Sequence, residues 1–205
     1  MLNINPSLQP KALVFWLHGL GADCHDFGPI VNFLNLPDFE FILPNAPLRP
    51  ITLNNGMTMR GWYDIESLDF KTIDLKGLEE SRMMIEQLIH QSLGSKTNQP
   101  KIFMAGFSQG AALSLYINEF SNIQFDGIIA LSGYLPKKNK LKKIISCPII
   151  AIHGQHDDII NKNIAKDSYQ LLEGNGNFEF HDYPMGHEVI EDEINLIKKF
   201  LLENS

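Results

Sequence analysis

Ser108 stands in Gly106-Phe-Ser-Gln-Gly110, a G-x-S-x-G pattern between a predicted strand over 101–107 and a predicted helix over 109–120. A serine hydroxyl is a weak nucleophile until a base takes its proton and a third group orients that base. A strained strand-to-helix turn pushes the hydroxyl out of the sheet, and flanking glycines let the two backbones approach without a Cβ clash. The amide of Gln109 opens the helix and is placed to donate to an oxyanion. The chemistry that this pattern supports is acyl transfer through a covalent intermediate. The competing reading is an idle serine in a glycine-flanked turn. Placement after an apolar strand and before Ala111-Ala112-Leu113 counts against it.

Where a G-x-S-x-G serine sits on such a strand-to-helix turn, its partners come in the order serine, acid, histidine. Beyond Ser108 the histidines are His153, His156, His181 and His187. His181 lies inside the alternating run Phe178 to Tyr183 and reads as a strand residue. His187 follows the last predicted strand in Met185-Gly186-His187-Glu188, on a loop that feeds the final helix, and is the expected base. For the acid, Asp157 and Asp158 both fall just past the strand ending at Ile152, and spacing does not separate them. His153, His156 and Asp157 also suggest a metal site. A loop H-x-x-H is not the helical zinc pattern, and a further ligand would be needed, so no metal is expected. The second oxyanion donor should come from the loop after the first clear strand, His18-Gly-Leu-Gly-Ala-Asp23, whose glycines can aim amides inward.

These residues need a scaffold that delivers several strand ends to one place. The chain reads as strand, loop and helix in alternation, without repeats or a dividing linker. This is the mark of an α/β fold with a mostly parallel sheet covered by helices on both faces. Strands are predicted over 12–17, 39–43, 101–107, 125–131, 148–152 and 177–183. Helices are predicted over 27–34, 74–91, 109–120, 160–173 and 188–202, and a turn at Gly174-Asn-Gly-Asn177. Residues 45–65 read as a long irregular stretch, and loops of that length are usually functional or disordered. Sites in such sheets form beyond the carboxyl ends of strands. The 205 residues are expected to form a single domain, 1–205.

Composition narrows the alternatives. A net charge of -7 argues against an electrostatic nucleic-acid binder and against charge-driven adsorption to anionic lipid. The basic cluster Lys137, Lys138, Lys140, Lys142 and Lys143 is the exception, and reads as a solvated face rather than a docking patch. Residues 1–11 lack the apolar segment of a signal peptide, and no run approaches the ~18 apolar residues of a membrane span. A cytoplasmic location with reduced Cys24 and Cys147 is the expectation.

Taken together, the residues resemble the acyl-protein thioesterase and bacterial carboxylesterase group, the phospholipase/carboxylesterase family of α/β hydrolases. The motifs that carry the resemblance are Leu17-His-Gly-Leu-Gly-Ala-Asp23, Pro44-Asn-Ala-Pro47, Met59-Arg-Gly-Trp-Tyr-Asp-Ile65, Gly106-Phe-Ser-Gln-Gly110, Leu131-Ser-Gly-Tyr-Leu-Pro136, His153-Gly154 with Asp157, and Met185-Gly-His187. They occur in the family's order along nearly the whole chain.

The resemblance implies a compact α/β hydrolase without a large cap domain and without a cofactor. It implies Ser108 as nucleophile, His187 as base and Asp157 as acid, with oxyanion amides at Leu20 and Gln109. Residues 55–62 would flank an acyl pocket, with Met57, Met59 and Trp62 as its apolar surface; ordinary core packing is the competing reading for these three. The implied substrates are small esters or thioesters with short to medium acyl chains, an acylated protein or a lysophospholipid. The implied assembly is a monomer or homodimer with at most peripheral membrane contact. A non-catalytic binding module on the same fold is the alternative from another class. The sequence departs from the family pattern at Cys24, Asn55 and Ala111, where glycine is usual, and at Asn161, where proline is common.

Overall fold

The computed structural model describes residues 1–70, 72–136, 141, 147–173 and 177–205. The basic cluster apart from its surroundings, and most of the predicted 174–177 turn, lie outside the described residues. Among the described residues seven strands form the main sheet: β1 (Leu2–Ile4), β2 (Ala12–Leu17), β3 (Phe39–Leu43), β6 (Lys101–Phe107), β7 (Gly127–Leu131), β8 (Ile149–Gly154) and β9 (Phe178–Tyr183). Their order is β1-β3-β2-β6-β7-β8-β9. Only β1 runs antiparallel, pairing Leu2 with Leu43. The others are parallel, as the continuous apolar runs predict: β2, β3, β7 and β8 are buried along their whole length.

Alternation along each strand divides the core in two. Leu13, Phe15 and Leu17 face one side, in a core shared with α2 (Leu75–Gly94), α3 (Gln109–Phe120) and α4 (Lys162–Glu173). Ala12, Val14 and Trp16 face the other, against α1 (Gly28–Leu34) and α5 (Glu191–Glu203). α2 begins where the Asp74 side chain accepts the Gly77 amide at 2.9 Å, a cap worth about 1 kcal/mol.

Two features differ from the sequence expectation. β1 is an extra edge strand, three residues long and too short to show a period. The stretch 45–65 contains an antiparallel hairpin, β4 (Leu48–Ile51) with β5 (Met57–Arg60), joined by a 3-10 turn at Thr52–Asn54. Pro50 within β4 hid this strand, because proline is tolerated in a two-stranded ribbon although it argues against a central strand. Asn55 then takes the left-handed conformation at φ 54°, which asparagine tolerates better than most residues.

The sheet order fixes where a site can form. After β2 the chain turns outward to β3, and after β6 it turns the opposite way to β7. The crevice at this reversal lies between the carboxyl ends of β2 and β6. There the 18–23 loop and the Ser108 turn meet.

Candidate active site

At the end of β6 the backbone turns sharply. Ser108 has φ 55° and ψ −117°, outside the conformations that a serine ordinarily adopts, and its amide donates to the Leu131 carbonyl of β7 at 2.8 Å. The glycines make this turn possible. A Cβ at Gly106 would lie 2.3 Å from the Gly110 carbonyl, and one at Gly110 would lie 2.3 Å from the Leu17 carbonyl of β2. Helix and strands are thus in backbone contact. Gln109 is the first residue of α3, so its amide has no carbonyl within the helix and points outward at the positive end of the helix.

Two loops from β8 and β9 close on each other beside this turn. The Gln155 amide donates to the Tyr183 carbonyl at 2.8 Å and the His156 amide to the Met185 carbonyl at 3.0 Å. A Cβ on Gly154 would lie 2.2 Å from the Gly186 carbonyl. The close fit brings His187 Nδ1 within 2.7 Å of Asp157 Oδ2. Of the two aspartates that spacing left open, Asp157 is buried and faces the histidine, while Asp158 is exposed.

Burial by itself would raise the Asp157 carboxyl. Hydrogen bonds from His153 and His187, and from the Ile160 amide, outweigh that and hold it well below the usual carboxylate range. Asp157 Oδ1 accepts the amides of Ile159 at 3.0 Å and Ile160 at 2.8 Å. His153 Nε2 lies 3.2 Å from Oδ2 and 2.7 Å from the Ile160 carbonyl, so this nitrogen carries a proton and donates to both. The His187 ring packs on Phe107, with centroids 4.8 Å apart.

The opposite side is built mostly from neutral groups, with the Arg60 guanidinium donating to the Ala46 carbonyl at 3.0 Å. His18 Nδ1 lies 2.7 Å from the Gly19 carbonyl, and Nε2 accepts the Ala46 amide at 3.0 Å. Both contacts are satisfied only by the neutral ring protonated at Nδ1. Burial lowers the His18 pKa accordingly. The Trp62 indole donates to the His18 carbonyl at 2.8 Å. The Gln109 side chain accepts the Trp62 amide at 2.8 Å and donates to the Tyr63 carbonyl at 2.6 Å. The loop bearing Leu20 is therefore tied to β4–β5 and to the start of α3. The roles of His18, His153 and the Gln109 side chain were missed in the sequence. Their signal was polar residues at the inner ends of apolar strands or helices, where burial demands partners.

Ser108, His187, Leu20 and Gln109 all line one cavity of about 500 Å3. Its remaining wall is mostly apolar, with Ile30, Ile65, Leu68, Phe70, Ile159 and Val189 prominent. The expected acyl-pocket residues are placed elsewhere. Met57 is 65 % exposed on the hairpin. The Met59 sulfur accepts from Asn54 Nδ2 at 3.2 Å and lies beside Gly21. Trp62 is wholly buried and holds the His18 carbonyl. None of the three lines the cavity, because β4 and β5 pair as a ribbon and the wall is supplied by 65–70 instead.

For a metal, the described residues offer Asp23, Cys24 and His25, with donor atoms within 4.8 Å of one another. The Asp23 carboxylate already accepts the His25 amide at 2.7 Å, a local turn. His153, His156 and Asp157 do not form such a group among the described residues.

Comparison with known proteins places this geometry in a family. The profile described as phospholipase/carboxylesterase matches residues 3–205. The chain belongs to the phospholipase/carboxylesterase family. It is a hydrolase with an α/β-hydrolase fold. Among similar family members, acyl-protein thioesterase 1 homolog 1 of Dictyostelium discoideum is 37% identical, over 93% of this chain and 89% of its own length. Acyl-protein thioesterase 1 of Cryptococcus neoformans is 31% identical, over 98% and 96%. Among solved structures, acyl-protein thioesterase 2 of Zea mays superposes with a TM-score of 0.88 at 28% identity, covering 99% of this chain and 97% of that one.

The departures from the family pattern are accommodated locally. The Ala111 methyl lies 2.5 Å from where a Cβ on Gly133 would stand, so Gly133 leaves the room that Ala111 fills. Asn161 accepts the Asn163 amide at 2.9 Å at the approach to α4. Cys24 is buried and its amide donates to Asn45. Among the described residues no helix is long and apolar enough to cross a membrane.

Proposed function

We propose that this chain is a serine hydrolase that cleaves carboxylic esters or thioesters with short to medium acyl chains, through Ser108, His187 and Asp157. The observation that carries the reading is the part-buried His187–Asp157 contact of 2.7 Å beside a cavity that Ser108 and His187 share. With Nδ1 committed to Asp157, His187 keeps Nε2 as the base. Ser108 Oγ adds to the substrate carbonyl while Nε2 takes its proton. The negative charge moves to the carbonyl oxygen, between the Leu20 and Gln109 amides, each donor typically worth about 3 kcal/mol. Collapse expels the alcohol or thiol, which receives the proton from His187, and leaves an acyl-Ser108 ester. Water, deprotonated by His187, then releases the acid. Asp157 stays ionised and stabilises the imidazolium. No cofactor enters this sequence of steps.

The similarity to proteins named acyl-protein thioesterase favours an acylated protein as the natural substrate, with a lysophospholipid as the neighbouring choice. Rates on an acyl-cysteine peptide and on a lysophospholipid, compared directly, separate the two. The test of the chemistry is Ser108→Ala: turnover of p-nitrophenyl esters is expected to vanish while cooperative melting persists. Undiminished turnover by that variant overturns the assignment.

A further inference from the structure

The cavity beside Ser108 has two arms, one over each face of the sheet. Ile65, Phe70, Tyr134 and Ile160 line one arm and belong to the core shared with α2, α3 and α4. Phe27, Ile30, Phe107 and Val189 line the other and pack with the core under α1 and α5. The arms differ in charge. Asp26 stands on the second, the one carboxylate among the described residues that line the cavity. It is exposed, and its Oδ2 accepts the Asp23 amide at 2.8 Å. No lysine or arginine among the described residues pairs with it.

The acyl and leaving groups of a substrate sort between these arms by the position of the base. The leaving group takes its proton from His187, so it must lie against the imidazole. That ring packs on Phe107 with centroids 4.8 Å apart, and Phe107 packs on Phe27 at 5.6 Å. The line of rings runs from His187 into the second arm and ends beside Asp26, the residue before Phe27. An acyl chain gains nothing from a carboxylate and is desolvated best in the first arm. A carboxylate next to aromatic rings suits a cation, which gains from the charge and from the ring faces. The field of Asp26 also reaches the oxyanion loop: burial lowers the His18 pKa, Arg60 adds to that, and the charges of Asp23 and Asp26 oppose it. A negative charge there works against an oxyanion, and a positive charge on the substrate offsets it.

We propose that the second arm takes the leaving group, and that Asp26 selects acylated cysteines flanked by a basic residue, whose cation it binds beside Phe27. The proposal deepens the serine-hydrolase reading above and rests on it. Asp26 is thus a specificity-determining residue for the leaving group and not for the acyl chain. A choline lysophospholipid also carries an ammonium, but its phosphate lies between that charge and the ester. The phosphate would stand nearer to Asp26, with no lysine or arginine among the described cavity residues to receive it. A basic peptide carries no such anion.

The test uses three peptides of one length, with an S-octanoyl cysteine between two lysines, two alanines or two glutamates. At low salt the wild-type kcat/KM is expected to fall in that order, by about threefold to fivefold from lysine to alanine, as for an exposed ion pair. Such a pair is screened, so the lysine-to-alanine ratio should approach one in about 0.5 M NaCl. Asp26→Asn keeps an oxygen for the Asp23 amide and removes the charge, and should bring the low-salt ratio close to one. Asp26→Glu should restore it. A wild-type ratio of one at low salt overturns the proposal, as does a ratio that Asp26→Asn leaves unchanged. Should Asp26→Asn not melt cooperatively, the wild type decides, since a ratio that salt does not lower also overturns it. A loss on lysophosphatidylcholine equal to that on the lysine peptide would assign Asp26 to the lipid headgroup and overturn the peptide reading. In each case Ser108-dependent turnover of the alanine peptide leaves the hydrolase reading standing. Absence of Ser108-dependent turnover on all three peptides removes that reading and the role of Asp26 together.

Discussion

The two sides of Ser108 are held by different physics. On the His187 side the organising group is an ion: Asp157 accepts from two imidazoles and two amides and stays charged in spite of burial. On the Leu20 side most of the organising groups are neutral, namely the His18 ring, the Trp62 indole and the Gln109 carboxamide, each bonded to backbone, with the Arg60 guanidinium donating to the Ala46 carbonyl beside them. The difference follows from what each side must do. In the proposed mechanism His187 becomes an imidazolium and needs a counter-charge already in place. In the same mechanism the Leu20 loop needs only fixed dipoles aimed at a charge that exists briefly, and mostly neutral partners suffice to orient them.

The largest effect should come from removing the ion. Asp157→Asn keeps the shape but withdraws the charge and offers His187 a partner that can favour the wrong tautomer. A loss in kcat on the order of 10⁴ is expected, with the melting transition retained. A loss under about tenfold would mean that both sides of the site work through neutral contacts.

Legibility in the sequence divided along the same line. Ser108, His187 and the aspartate pair were visible because sites in parallel sheets form beyond strand ends, and apolar strands are easy to place. Asp157 over Asp158 was supplied by family likeness; the physical reason, one buried and one exposed, is tertiary. The neutral side was mostly invisible. Gln109 was read for its amide, yet its side chain clamps residues 47 and 46 positions away in the chain, Trp62 and Tyr63. Trp62 looked like pocket surface because an indole beside methionines is apolar on paper. Only the fold shows that its N–H is spent on His18. The parallel sheet was legible from its buried strands. The 48–60 hairpin was not, since Pro50 and an exposed Met57 break the strand pattern.

The neutral side can be broken at its clamp. Gln109→Ala leaves the Trp62 amide and the Tyr63 carbonyl without their partners, at about 1–3 kcal/mol each in stability. The loop shift should lower kcat on the order of 10²-fold, since displacement of about 1 Å suffices for that. Denaturant unfolding and ester kinetics on one preparation read both. A stability loss without a kcat loss would make this clamp structural only, and would leave the Leu20 loop fixed by His18 and Trp62.

The smallest effect sharpens the comparison by pH. Glu193, in the first turn of α5 beyond His187, is buried with Oε1 unpartnered among the described residues, and its Oε2 accepts the Ile190 amide at 2.9 Å. Burial, with Glu188 adding, pushes its carboxyl from 4.5 up to about 7 in spite of the Ile190 amide. The folded state therefore holds this proton more tightly than the unfolded chain does. The resulting stability is full below pH 4.5 and is lost as pH rises to about 7. His18 has the opposite sign: its pKa is lowered from 6.5, so its contribution is full above that pH and fades as pH falls toward the folded value. Glu193→Gln removes the alkaline loss. A rise from 4.5 to about 7 sets a ceiling of about 3 kcal/mol. The new amide hydrogens lack partners and return part of it, leaving a gain of about 1–2 kcal/mol at pH 8 and none at about pH 5. Melting curves at the two pH values decide this. An equal shift at both would mean that the Glu193 carboxyl does not change its titration on folding.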